Sequence, residues 1–424
     1  MKTRVWVVSE LYYPEQSATG YFLTRIAEGL AAGMEVHVLC GQPTYSLRGV
    51  RARVQEVKNG VHIRRCSSTT FDKDKLVHRV ANLVTISISI FVQALFRIRR
   101  GDRVLVVTNP PALPFLVSLA CKVRKAECVL LIHDVFPELL VVTGIIESGS
   151  LLLSALHRLN GYLFRNVAHI VVIGRDMQDL IRRKLGRHAP AMSFIPNWAD
   201  VEQIVPKPRG ENPILQRLGV DKKFVIQSSG NMARYCSVET MVQGAELLKN
   251  QTDIHFVFVG LGFKKPWLER TIREKGLAGV SVLPPQPRET LCDLLNAADV
   301  ALIGLVSGMS GISVPSRLYN VLAAGKPIIA LAEPHSELAR VVLEETVGWV
   351  VDPNDPSALA SAILEAKANP ERLTFMGRRA RVVAEQKYRF DQSLNSFRAL
   401  LQAREASTSR SWGKISQGKS DPTI

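Results

Sequence analysis

Two stretches of the chain combine a fixed cation with small residues, and both suit the handling of phosphate. The first is Val314-Pro315-Ser316-Arg317-Leu318-Tyr319-Asn320, which runs on to Ala323-Ala324-Gly325. Pro315 suits a helix's first turn and Gly325 its end, so the spacing predicts a helix with Arg317 beside its free backbone N–H groups. Free amides and a guanidinium in one turn make a seat for an anion, although an α/β helix with a solvated arginine has the same pattern. The second is Ser228-Ser229-Gly230-Asn231-Met232-Ala233-Arg234, a glycine and a basic residue just past an apolar run. Gly260-Leu261-Gly262 ends the next apolar run in the same way, and Gly308 and Gly311 mark a third small-residue loop. Glycines so placed offer backbone N–H groups and little bulk to a ligand. Gly20 closes a loop ahead of a helix expected at 21–32, and serves either the same role or a plain turn. His133-Asp134 ends another apolar run, where a histidine either meets a ligand or is a hydrogen-bonded structural residue. No pair of carboxylates stands at hydrolase-like positions. Asp72-Lys73-Asp74 has a D-x-D form but lies among lysines, and no metal is assigned to it.

These residues need strands to position them, and the chain supplies two alternating series. Strands are expected at 5–9, 35–40, 61–66, 103–108, 128–132 and 169–173, with helices at 111–124, 151–164 and 176–185. After a Pro- and charge-rich linker at 206–213, strands are expected at 224–229, 255–259, 280–283 and 300–303, with helices at 238–248, 266–275 and 289–296. Strands of nearly continuous Val, Ile and Leu indicate parallel sheets covered on both faces, whose ligands sit beyond the carboxyl ends of the strands. A long helical stretch is expected at 371–402, followed by a tail at 405–424 too poor in apolar residues to pack.

Composition narrows the partners. At 424 residues and 46% hydrophobic content, two domains of similar size are expected. A formal charge of +16 points to anions: phosphorylated small molecules or an acidic membrane surface. Nucleic acid is set aside, because the basic residues are spread out without interleaved aromatics or a reader motif. Six cysteines, mostly within apolar runs and without metal-ligand spacing, read as reduced buried thiols of a cytosolic protein. Met1-Lys2-Thr3-Arg4 passes straight into a strand pattern, which does not fit a signal peptide. The most apolar segment, 76–98, is bracketed by Lys73, Lys75 and Arg79 and by Arg97, Arg99, Arg100 and Arg103. Asn82, Thr85, Ser87, Ser89 and Gln93 interrupt it, so it reads as a helix buried in the first domain or lying on a bilayer surface rather than crossing it.

In this order and spacing the sequence resembles a GT-B glycosyltransferase, an α/β fold of two doubly wound Rossmann-like domains facing across a cleft. More narrowly it resembles glycosyltransferase family 4, in the bacterial branch that builds surface polysaccharides such as O-antigen and capsule and includes N-acetyl-L-fucosamine and colanic acid transferases. The resemblance spans about residues 2–400. It rests on Tyr13-Pro14-Glu15 with Gly20, Ile132-His133-Asp134, Val172-Ile173-Gly174-Arg175-Asp176-Met177, Pro196-Asn197-Trp198, Ser229 through Arg234, Val259-Gly260-Leu261-Gly262, Ala298-Asp299-Val300 and the stretch around Arg317.

The resemblance implies an acceptor-side domain at 1–202, a donor-side domain at 203–385 and a helix at 386–404 packing back on the first domain. It implies that Arg234 and Arg317 clamp the donor diphosphate and offset charge on the leaving nucleotide, and that His133 touches the donor sugar near the reacting carbon. Gly20, Gly230, Asn231, Gly260, Gly262, Ser316 and Asn320 are the implied donor-binding residues. Configuration would be retained by same-face attack, with neither metal nor cofactor. The implied donor is a nucleotide-diphosphate sugar, UDP-linked ahead of GDP- or dTDP-linked, carrying an N-acetylated amino sugar or a deoxyhexose. The implied acceptor is a polyprenyl-diphosphate-linked saccharide, with the enzyme cytoplasmic and peripheral on the inner membrane. Most of the family has a glutamate where Asn320 stands and another near Ile312 or Ser313, and Ala233 replaces a usual glycine. Two other functions share the pattern: a nucleotide-sugar 2-epimerase of the same fold and a non-catalytic nucleotide-sugar binder.

Overall fold

A computed structural model describes residues 3–15, 17–43, 50–71 and 76–403. Asp72-Lys73-Asp74 and the tail at 405–424 lie outside the described residues. The first domain runs β1 (Arg4–Val8), α1 (Ala18–Ala31), β2 (Glu35–Cys40), β3 (Gln55–Lys58), β4 (Val61–Arg65), α2 (Leu76–Arg97), β5 (Arg103–Val107), α3 (Leu113–Arg124), β6 (Glu127–Ile132), α4 (Glu138–Val142), α5 (Leu151–Asn166), β7 (His169–Val172), α6 (Arg175–Leu185) and β8 (Ala191–Phe194). The second runs α7 (Pro213–Leu218), β9 (Phe224–Ser229), α8 (Val238–Leu247), β10 (Ile254–Val259), α9 (Lys265–Lys275), β11 (Val280–Leu283), α10 (Leu291–Asn296), β12 (Val300–Gly304), α11 (Arg317–Ala323), β13 (Ile328–Leu331), α12 (Glu337–Glu344), β14 (Gly348–Val351), α13 (Pro356–Ala368), α14 (Pro370–Lys387) and α15 (Phe390–Gln402).

Strand order is β3-β4-β2-β1-β5-β6-β7-β8 in one sheet and β11-β10-β9-β12-β13-β14 in the other. Every pairing is parallel except β3 with β4. The order reverses between β1 and β5 in the first sheet and between β9 and β12 in the second. At such a switch point the neighbouring loops splay apart and leave a crevice. Thr108 and Gly230 each follow a strand at one of these points. The central strands are buried along almost their whole length because helices cover both faces, the condition that their mainly apolar runs require.

Two expectations are corrected, and α4, β8, α7, α12 and β14, with β3 and α13, have no counterpart in the sequence reading. The edge strand β3, with alternating Gln55-Glu56-Val57-Lys58, carries too little apolar signal to be read as a strand. The helix at α13 was not anticipated. The stretch at 371–402 is two helices, because the chain breaks at Tyr388-Arg389, where the Tyr388 carbonyl accepts from Ala199 N–H (2.8 Å) and Arg389 bridges Ala199. Gly20 lies inside the first turn of α1 rather than in the loop before it, since Ser17 caps the helix and accepts the Gly20 amide (3.2 Å).

α15 lies on the first domain although its chain leaves the second. Leu394 fills the space beside Gly29, where a Cβ would come within 2.6 Å of it, and the Arg398 guanidinium donates to the Gly29 carbonyl (2.8 Å). The chain therefore passes between lobes twice, around Ala199 and around Arg389. Arg381 of α14 ties the crossing together by donating to the carbonyls of Val201, Ile204 and Ala323. The end of α11 approaches α14 closely: a Cβ on Gly377 would sit 2.6 Å from the Gly325 oxygen.

Candidate functional site

His133 follows β6 directly. Its own backbone N–H and that of Asp134 both donate to Thr108 Oγ1, at 3.2 and 3.3 Å, so the switch-point threonine after β5 fixes the turn. The ring is buried and its Nε2 has no hydrogen-bond partner among the described residues. Burial pulls its pKa down to about 4, so the imidazole is neutral. The next residues reach across to the second domain: Asp134 pairs with Ser313, and Val135 N–H donates to Ile312 O (2.9 Å). Burial pushes the Asp134 carboxyl up, against a hydrogen bond from Ser313 that lowers it. This strip sets the histidine beside the segment that runs on to Arg317.

On the second-domain side, the loop after β9 and the loop after β10 are zipped together by their backbones. Gly230 N–H donates to Val259 O, Met232 N–H to Leu261 O and Lys264 N–H to Met232 O, at 2.7 to 3.0 Å. Gly260 and Gly262 have φ of +140° and +145°, and Cβ atoms there would fall 2.0 Å from the Gly230 oxygen and 2.5 Å from Met232. Only glycine allows this approach. The expectation that the glycines offer amides to a ligand is therefore corrected for Gly230 and Gly260, whose N–H groups are used within the protein, the latter by Leu283 O. The Gly20 amide is likewise taken by Ser17. What Gly230 supplies is room: a Cβ there would be 3.2 Å from Arg317 Cζ.

Arg317 lies across that loop, donating to Asn231 O (3.1 Å) and contacting Cys236 Sγ (3.7 Å). Its helix, α11, spans only seven residues and buries Leu318, Tyr319 and Leu322, which leaves Ser316, Arg317 and Asn320 partly exposed. Arg234 sits on the zipped loop itself, with its guanidinium 3.4 Å over the Phe263 ring. Among the described residues no carboxylate pairs with either arginine. Lys264, which sequence reasoning passed over, adds a third cation to the same loop pair, held by Cys236 O and Glu239. A basic residue two places after Gly262 was the available signal.

The stretch Val172 through Met177 takes a different part. Asp176 accepts from Met177, Gly311 and Glu337 N–H groups at 2.7 to 2.8 Å, and Arg175 pairs with Glu337 (3.0 Å) and Glu344 (2.7 Å). Gly174 leaves space for Val314, whose methyl would lie 2.7 Å from a Cβ there. These contacts latch α6 of the first domain to α12 and to the loop preceding α11. Burial raises the pKa of both Asp176 and Glu337 despite those partners.

Comparison with known proteins gives the same reading across the whole chain. A model described as glycosyl transferase 4-like domain matches residues 18–198, and one described as glycosyl transferases group 1 matches residues 212–383. The probable glycosyltransferase WbjE of Pseudomonas aeruginosa is 32% identical over 94% of this chain and 97% of its own length. The putative colanic acid biosynthesis glycosyl transferase WcaI of Escherichia coli K12 is 26% identical over 88% of this chain and 94% of its own. Among solved structures, Anabaena HepE in complex with UDP and glucose superposes with a TM-score of 0.72 at 14% identity, covering 94% of this chain and 99% of that one. WaaG, a glycosyltransferase of lipopolysaccharide biosynthesis, superposes at 0.69 with the same identity, covering 94% of this chain and 100% of that one. With both domains matched and a relative 32% identical across nearly the whole chain, the chain belongs to glycosyltransferase family 4, of GT-B fold, and is a glycosyltransferase.

Proposed function

We propose that the enzyme transfers a sugar from a nucleotide-diphosphate donor, a UDP-sugar first, to a polyprenyl-diphosphate-linked saccharide during surface-polysaccharide synthesis, with retention at the anomeric carbon. The observation that carries this reading is Arg317: a guanidinium held by a neutral carbonyl and a thiol, without a paired carboxylate among the described residues, beside a loop stripped of side-chain bulk. Such a cation suits a diphosphate that gains charge as the glycosyl bond breaks. Arg234 and Lys264 flank the same place. The neutral His133, with a buried and unused Nε2, suits a hydroxyl of the donor sugar, and Ser316 and Asn320 suit the nucleotide's hydroxyls. The nucleotide diphosphate leaves with the bonding electron pair, and the acceptor hydroxyl attacks from the face of departure and gives its proton to the departing phosphate oxygen. HepE was solved with UDP and with UDP-glucose, which supports uracil as the first base to test.

The test is thermal stabilisation by UDP, GDP and dTDP, followed by product analysis with the donor that binds. A rise in melting temperature with one nucleotide, and a new α- or β-linkage matching the donor's anomer, are expected. Release of a free epimerised sugar without acceptor, or binding without turnover, would overturn the transferase reading.

A further inference from the structure

α2 has two unlike faces. Ile86, Ile90, Ala94 and Ile98 at its end are buried in the first domain's core, while Val77, Val80, Val84, Ile88, Val92 and Phe96 recur every three or four residues on the outside. Those six are 40 to 80% exposed. Within the helix Val77–Arg97 an 18-residue window has a mean hydropathy of 1.6, yet only 28% of that window is buried. Its neighbour α3 continues the surface with Leu119 and Val123, exposed to 50 and 60%. A contiguous apolar face of this kind is unusual on a surface that meets only water.

The charge around it is one-sided. From Leu76 to Ala126 the chain has eight Lys and Arg and one acid, Asp102, which is buried and paired with Arg4. Arg79, Arg97, Arg99, Arg100, Lys122 and Lys125 are exposed around the apolar stripe. A basic rim repels a second copy of a chain carrying +16 and attracts anionic lipid. Beside the last turn of α2 the sheet lies open in a cavity of about 420 Å³, lined by Trp6, His37, His62, Arg64 and Arg97. The three rings occupy one row of paired strand positions and stack, with centroids 4.6 and 5.0 Å apart. Two guanidinium groups line the cavity with this stack, next to the exposed Phe96, and the Glu56 carboxylate that also lines it is paired with Arg65, so the place suits the phosphate of a headgroup.

We propose that this face is a bilayer-docking surface: α2 lies in the interface with its outer stripe among the acyl chains, and the basic rim and cavity take anionic lipid headgroups. Burial of one face in the domain core holds the helix on the domain and keeps it from crossing. The inference deepens the lipid-linked acceptor reading, but it stands on this surface alone.

The experiment is flotation of the full chain with vesicles of phosphatidylcholine alone or mixed with phosphatidylglycerol. Binding to the anionic vesicles only, weakening as salt rises, is expected. Each of Arg99→Gln and Arg100→Gln should weaken partition about five-fold, the equivalent of ~1 kcal/mol. V84E/I88E should abolish flotation, whereas Phe375→Glu, an exposed apolar residue of the second domain, should leave it intact. Because stability could change in V84E/I88E, amide hydrogen exchange of the unaltered chain is the second measurement, with protection on vesicles expected across α2. Equal binding to neutral vesicles, flotation that survives V84E/I88E, or a dimer that V84E/I88E dissolves would overturn the proposal. UDP stabilisation without vesicles reports on the donor reading separately: if it persists while flotation fails, only the docking surface falls.

Discussion

The latch between α6 and α12 and the floor around His133 are both polar and both made where the domains meet, yet their charges are treated in opposite ways. In the latch every charge is answered: Asp176 has three backbone donors and Arg175 two carboxylates. On the floor His133 Nε2 has no partner among the described residues, and Arg317 rests on neutral groups. Buried polar groups normally find partners. A saturated cluster is explained by the fold it holds, while an unsaturated one beside a glycine-cleared loop is explained by something that arrives later.

The largest effect expected from breaking this contrast is on catalysis. Arg317→Ala should lower turnover roughly 100- to 1000-fold, or about 3–4 kcal/mol in the barrier, and steady-state kinetics beside a melting curve would show the loss without destabilisation. Arg234→Ala should behave alike, and near-normal rates in both would remove the assigned roles. Glu337→Ala should do the reverse, since it strips the Arg175 guanidinium and backbone N–H of a buried carboxylate while leaving the backbone N–H that Asp176 accepts. A destabilisation of roughly 3 kcal/mol in urea is expected, with UDP binding by the folded fraction retained. Next comes Gly260→Ala, whose Cβ would strike the Gly230 oxygen. It should cost roughly 1–3 kcal/mol by overpacking and weaken UDP binding in calorimetry, because the loop that seats Arg317 must shift.

The smallest effect is in pH dependence, where His133 and the latch carboxyls differ in sign. For His133 the folded pKa, about 4, is below the unfolded value, so the chain takes up a proton on unfolding between pH ~6.5 and 4 and stability is lost as pH falls through that window. The raised pKa values of Asp176 and Glu337 run the other way: their contribution is full below the ordinary carboxylate range and is lost as pH rises through the folded values. His133→Asn should flatten the acid side of a melting-temperature profile and leave the carboxylate side alone, whereas an unchanged acid side would mean that the ring is already solvated.

This contrast was only half legible in the sequence. The strands were, because β5, β6 and β12 are nearly continuous runs of Val, Leu, Ile and Ala that a two-sided sheet demands. So was the clustering of chemistry at strand ends, through Gly230, Gly260 and His133. The division of labour was not. Nothing in Val172 through Met177 says that its acid will cap amides of another domain, and nothing in Gly260 says that its missing Cβ serves a neighbouring loop rather than a ligand. Those facts depend on residues more than a hundred positions away, or on which backbone an amide meets. The break at Tyr388-Arg389 has the same origin, since Ala199 imposes it.

That pairing has a mechanical consequence. Because the polypeptide joins the lobes by two tethers lying side by side, stitched through Arg381, twisting one lobe against the other would stretch one strand and slacken the other. Opening is then confined to swinging about the line where the tethers meet, in the manner of a door on two hinges, and both the latch at Arg175 and the strip that pairs Asp134-Val135 with Ile312-Ser313 must let go.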